Sequence, residues 1–147
     1  MDARIELLKA SFDAAVAAAD PARMLAAHLP VPPQRALVVG AGKAGASMAA
    51  AVEQAWPKVD LDGIVITRYA HGLPTRAVRV VEAGHPVPDA AGEAAARDIL
   101  DRVQKMRAGD LLLALVSGGG SSLLSLPVPE VPMEDLKRVT RELLASG

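Results

Sequence analysis

Apolar residues at Ile5, Leu8, Phe12, Ala15, Val16 and Ala19 recur every three to four positions, which draws one stripe along a helix and predicts that element over residues 4–19. Asp20 and Pro21 stop it and start another, an N-cap followed by a proline at the first helical position, running to His28 before a proline-rich segment. The period then changes. Short β-branched and aliphatic runs at 35–39, 63–67 and 78–83 predict strands, and helical spacing at Ala44, Met48, Ala51, Val52 and Ala55 lies between the first two. Asp89 predicts the cap of a further helix whose inward face is Ala96, Ile99, Leu100, Val103 and Met106. Its outward face carries the pairs Glu93/Arg97, Arg97/Asp101, Asp98/Arg102 and Asp101/Lys105. Residues 111–116 are apolar at every position, as in a strand covered on both faces, and a last helix is predicted over 133–145.

Strands that alternate with helices predict a mainly parallel sheet between two helical layers. The expectation is one α/β domain over residues 1–147, a Rossmann-like three-layer α/β/α fold preceded by N-terminal helices. Ligands of such sheets bind at the carboxyl ends of the strands, beside the point where strand order reverses. Every glycine-rich or histidine-containing loop of this chain after the first helices follows a predicted strand, so all of them are expected on one rim.

Composition narrows the class. With 51% hydrophobic and 22% charged residues the chain folds rather than staying disordered. A net charge of -1 provides no basic surface for a nucleic-acid backbone. Cysteine is absent, which excludes disulfides and thiolate chemistry, and His28, His71 and His85 lack metal-ligand spacing. Aromatics are only 2% of the chain, so base-stacking platforms are missing and backbone loops must do most of the ligand work. No apolar run reaches the roughly 18 residues of a membrane span. The N-terminus is acidic, unlike a signal peptide, and a cytoplasmic location with no membrane partner is expected.

Two loops carry candidate chemistry. Gly40, Gly42 and Gly45 make a GxGxxG turn between a strand and a helix, where backbone can approach a phosphate and helix amides point at it. No Ser or Thr follows Lys43, so this is not a Walker loop. Lys43 is a cation at a helix start, unfavourable beside the helix dipole unless an anion compensates. The second loop, Ser117, Gly118, Gly119, Gly120, Ser121 and Ser122, offers successive amides and three hydroxyls, the makings of an anion nest. Three consecutive glycines are costly to order, which points to close approach by a ligand. His85, in a loop stiffened by Pro86 and Pro88, is placed to hydrogen-bond a substrate hydroxyl or carboxylate. Asp89 reads first as a helix cap, His71 carries a weaker signal, and His28 is assigned nothing.

The strings VVGAGKAGASMA, AGHPVPD and SGGGSSLL, in that order, resemble the N-terminal domain of the glycerate 2-kinase family. Its members are often labelled hydroxypyruvate reductases. The resemblance implies ATP-dependent phosphorylation of D-glycerate at its 2-hydroxyl with a divalent metal, normally Mg²⁺, in a cleft between two domains. It implies that Lys43 is the active-site lysine, that residues 117–122 line the phosphate or glycerate pocket, and that His85 lies near. Members continue beyond the equivalent of Gly147 through a second domain. The expectation is therefore half a cleft, inactive alone, and an apolar surface at Leu136, Val139 and Leu143 that takes a C-terminal domain partner or self-associates. Two other readings stay open. One is an NADP-dependent hydroxypyruvate reductase, since Arg68 rather than an acid stands at the end of the second strand. The other is a non-catalytic phosphosugar-binding module like the sugar isomerase domains.

Overall fold

Asp2 and Asp20 open the first two helices alike, each carboxylate accepting from the amide two residues on, Arg4 and Ala22, at 3.0 Å. In the computed structural model, which describes residues 2–147, these are α1 (Ala3–Ala18) and α2 (Pro21–Met24), followed by a 3-10 turn over Leu25–His28. Four strands follow: β1 (Arg35–Ala41), β2 (Asp60–Arg68), β3 (Val78–Ala83) and β4 (Leu111–Val116). They form one sheet in the order β3-β2-β1-β4, and every pairing is parallel. The crossovers are α3 (Gly45–Ala55) and α4 (Ala90–Gln104), with α5 (Gly120–Leu123) and α6 (Met133–Ser146) after β4. The expected three-layer parallel α/β fold is present, with β1 and β2 each running further than the apolar run alone indicated.

Residue parity divides the core. Ala36 and Val38 of β1 share a cluster with Val65, Leu115 and the α3 residues Ala49 and Val52. Leu37, Val39 and Ala41 point the other way, onto Ile64, Ile66 and the α4 residues Ala95, Ala96 and Ile99. Two apolar layers thus clamp the central strands from opposite sides, the arrangement that an uninterrupted aliphatic strand requires.

Three expectations of burial are corrected. β4 is covered on one face only: Leu115 is buried, whereas Leu112 is 42% and Val116 73% exposed, because β4 is an edge strand beyond the reach of α4. Leu100 is 45% exposed and does not belong to the inward face of α4. The stripe of α1 exists as a pattern, yet α1 buries no residue; α6 buries none either, and its Val139 and Leu143 stand exposed, as the expected apolar surface requires. In both helices the sequence period is satisfied with no second layer described against it.

Glu53 ties α3 to the start of β3. Its carboxylate accepts from three successive amides, Arg76 at 2.6 Å, Ala77 at 2.7 Å and Val78 at 2.9 Å. Burial pushes this carboxyl up, but the amide bonds and the nearby Arg76 charge outweigh it and hold it below the usual glutamate value. At the amino ends of the strands, Arg102 bonds Asp62 at 2.6 Å and Asp98 at 2.9 Å, Arg79 also pairs with Asp98, and Arg35 reaches Asp60 and Asp110. A crevice lies there, lined by Arg35, Arg102 and Lys105 with Asp62 and Asp110; Arg35 and Arg102 are paired with carboxylates and Lys105 stands at the C-cap of α4.

Replacing Glu53 by Gln is expected to cost about 1–3 kcal/mol in urea unfolding, because three amides lose a charged acceptor. As the folded pKa is depressed, this contribution is fully present above pH 4.5 and is lost as pH falls through the lower folded value. A wild-type and variant pair with the same difference at pH 7 and at pH 2.5 would contradict it. The bare β4 face predicts concentration-dependent association in sedimentation velocity that Val116→Glu weakens.

Candidate functional site

The chain leaves β1 toward β2 and β3 on one side and returns to add β4 on the other, so strand order reverses between β1 and β4. The loops after these two strands meet there and are bonded to each other. Ser117 N–H donates to Ala41 O at 3.1 Å, Lys43 N–H to Gly118 O at 2.9 Å, and Ala44 N–H to Ser117 Oγ at 3.1 Å. The remaining amides of the turn are also engaged, Gly42 with Ile66 O at 3.0 Å and Gly45 with Gly42 O at 2.9 Å.

This changes the reading of the GxGxxG turn. Its amides face protein, so they do not form the open phosphate cradle expected of the pattern. The glycines have packing reasons instead. A Cβ on Gly40 would overlap the Leu115 backbone, one on Gly42 (φ +140°) would overlap Ser117, and one on Gly45 would sit 3.2 Å from Ile66 O. Close approach is real, but it is β1 to β4 and α3 to β2.

Lys43 and His85 converge on the second loop. A Cβ on Gly118 would lie 3.7 Å from Lys43 Cε, so the lysine stem runs across that residue. The neighbouring Gly119, at φ +88°, has the His85 imidazole where a side chain would begin. Ser117 and Gly120 amides are engaged, with Ala41 O and Ser117 O. Those of Gly118, Gly119, Ser121 and Ser122 have no partner among the described residues. The donor surface is therefore the second loop rather than the first.

Two cavities open on either flank of these residues. One, of about 290 Å³, lies between the start of α3 and the β2–β3 loop and is lined by Lys43, Ser47, Ala70, His71, Gly72 and Leu73. The other, of about 350 Å³, holds His85, Ser121, Ser122 and Ser125, with Leu136 and Thr140 of α6 on its far wall. His71, a weak candidate from sequence, thus shares a cavity with Lys43, while His85 belongs to the other.

A frame of polar contacts fixes both loops. Thr67, completely buried, directs its hydroxyl to Lys43 O at 3.4 Å. Glu82 accepts from the amides of His71 at 3.1 Å and Gly72 at 2.8 Å. Asp89 caps α4 by accepting from Gly92 N–H at 3.0 Å, as expected, and also accepts from Tyr69 Oη at 2.7 Å. Burial raises the Asp89 carboxyl, but bonds from Gly92, Tyr69, Gly84 and Ala91 prevail and keep it below the ordinary carboxylate range. The same bond raises the Tyr69 phenol above its usual value. Tyr69, Thr67, Glu82, Ser125 and Thr140 were not singled out from sequence. Only Tyr69, a rare aromatic directly after a strand, carried a signal that could have found it. The His85–Pro86 peptide is cis. Among the described residues no group of three or more His, Asp or Glu is placed to hold a metal ion.

Comparison with known proteins adds relatives to this geometry. A family model described as "Domain of unknown function (DUF4147)" matches residues 7–147. A protein of Agrobacterium vitis named "Putative hydroxypyruvate reductase" is 51% identical over 143 residues, covering 97% of this chain and 33% of its own length. The glycerate 2-kinase of Pyrococcus horikoshii is 40% identical over 111 residues, 75% of this chain and 24% of that protein. The crystal structure of a glycerate kinase from Thermotoga maritima superposes with a TM-score of 0.78 at 35% identity, over 98% of this chain and 34% of that one. The chain spans about a quarter to a third of the length of these relatives.

Gly119→Ala is expected to destabilise the fold by about 1–3 kcal/mol, since the left-handed backbone resists a side chain and the imidazole must move. An NMR spectrum in which the His85 ring resonances stay in place in that variant would contradict the contact.

Proposed function

From the premise that the chain belongs to the DUF4147 family and has glycerate 2-kinases among its relatives, we propose that it is the nucleotide- and glycerate-binding portion of an ATP-dependent glycerate 2-kinase. The observation that supports this most is the placement of Lys43 and His85 on adjacent residues of one loop, with unpartnered amides beside them. Phosphoryl transfer asks a protein mainly to align two reactants and to neutralise charge spread over the moving group. Lys43 supplies a mobile positive charge for phosphate oxygens, and the unpartnered Gly118 and Gly119 amides supply fixed dipoles. The 2-hydroxyl oxygen of D-glycerate attacks the γ-phosphorus, the bond to the ADP oxygen breaks with its electron pair leaving on ADP, and His85 takes the hydroxyl proton.

Among the described residues no group of three or more His, Asp or Glu could hold a metal ion, and no step here passes through one. Lys43, a positioning cation, carries the electrostatic part assigned to this chain. Because the chain matches only about a quarter to a third of the length of these relatives, binding is the function assigned to these residues by themselves.

The reductase reading has the name of the Agrobacterium relative in its favour. Against it stands the glycine turn, whose amides at Gly42, Lys43, Ala44 and Gly45 are bonded internally and leave no pyrophosphate cradle. Thermal shift separates the readings. At about 100 times its Kd a ligand adds ~2.7 kcal/mol of stability. ATP and D-glycerate are expected to raise Tm, Lys43→Ala to abolish the ATP effect, and NADPH to do nothing. A shift with NADPH alone would replace the kinase reading by the reductase one. In a turnover assay for 2-phosphoglycerate, any activity of the chain should fall at least tenfold in Lys43→Ala, and equal activity would remove the role given to that lysine.

A further inference from the structure

We propose, on the footing of the kinase reading, that the two cavities divide the reactants. The nucleotide phosphates occupy the Lys43 side, and a short carboxylic acid with adjacent hydroxyls sits between His85, Ser121, Ser122, Ser125, Leu136 and Thr140. The loop at Gly118 and Gly119 is the wall between them.

Charge separates the cavities first. The one beside α3 has a lysine and a histidine in its lining, whereas His85 is the sole titratable side chain lining the other. A polyphosphate brings several negative charges and needs compensation for each, which only the first cavity begins to provide. A singly charged small acid needs far less.

Hydroxyl direction then identifies the occupant. Ser122 Oγ donates to Gly119 O at 3.3 Å, Ser125 Oγ to Ser121 O at 3.1 Å and to Ser122 O at 2.9 Å, and Thr140 Oγ1 to Leu136 O at 2.8 Å. Each of these hydroxyl protons is directed at backbone, so the oxygens offer lone pairs and act as acceptors. A ligand that donates, as a diol does, fits these three oxygens, and the Ser121 hydroxyl, which has no bonded partner among the described residues, can donate as well as accept. The amides of Ser121 and Ser122, without partners, supply the complementary donors for a carboxylate. Donors and acceptors together fit a vicinal hydroxy acid better than a phosphate, which only accepts.

The assignment gives α6 a task. Leu136 and Thr140 stand one turn apart and close the cavity opposite His85, so a helix that buries no residue nevertheless forms a wall of the acceptor site. Thr140 is thereby a specificity residue for the acceptor.

Titration of the ¹⁵N-labelled 147-residue chain with D-glycerate, D-lactate and ATP tests this. D-glycerate should shift the amides of Ser121, Ser122 and Thr140, and ATP those of Lys43, Ser47 and Gly72. D-lactate, which lacks the 3-hydroxyl, should bind about 3–10-fold more weakly, as should D-glycerate to Ser122→Ala or Thr140→Val, with ATP affinity changed less than twofold. The lactate comparison needs no variant and stands even if a variant misfolds. D-glycerate shifts confined to the Lys43 cavity, or equal affinity for D-lactate, would overturn the division and leave the kinase reading intact. ATP binding without D-glycerate binding would do the same. Failure of both ATP and D-glycerate to bind would remove the kinase reading together with this proposal.

Discussion

The seam between the loops after β1 and β4 governs the rest of the molecule. Three hydrogen bonds join them, with Ser117 both donating to Ala41 and accepting from Ala44 while Gly118 accepts from Lys43. That seam holds the lysine backbone against the neighbouring loop, so the exposed Lys43 side chain passes beside Gly118 as it leaves. It also explains the glycines on each side. Two backbones can approach this closely only where Cβ atoms are missing, at Gly40 and Gly42. The helix start at α3 therefore serves the site indirectly, by placing a charged side chain, and the free amides come from Gly118, Gly119, Ser121 and Ser122.

The fold was largely legible in the sequence because its two signals are periodic. Aliphatic runs gave β1 to β4, and the caps at Asp20 and Asp89 followed from their residue types, whereas the Asp2 cap of α1 emerged only in the structure. Burial was less legible. Leu112 and Val116 look like core residues by type, but exposure depends on which strand lies at the sheet edge, a tertiary fact that local pattern does not contain. Strand order decided it.

The site was readable in outline and misread in its workings. Lys43, His85 and residues 117–122 do come together, as their positions after strands suggested. The amides of the glycine turn do not face outward, because a motif specifies backbone freedom without specifying what approaches it. His71 and Thr140 joined the cavities through long-range packing, the second from a helix separated from the loops by a proline-rich segment. The crevice at the opposite end, near Arg35 and Arg102, shows the contrast: it is rich in charge, yet each cation there has a carboxylate partner or a helix C-terminus beside it.

The central claim is that the Lys43 ammonium group and the Gly118 loop receive a phosphate-bearing ligand. A crystal structure of the chain with a non-hydrolysable ATP analogue tests it most directly. The account predicts phosphate oxygens within hydrogen-bond distance of Lys43 Nζ at the carboxyl ends of the strands. An analogue whose phosphates instead lie among Arg35, Arg102 and Lys105, at the amino ends, would contradict it.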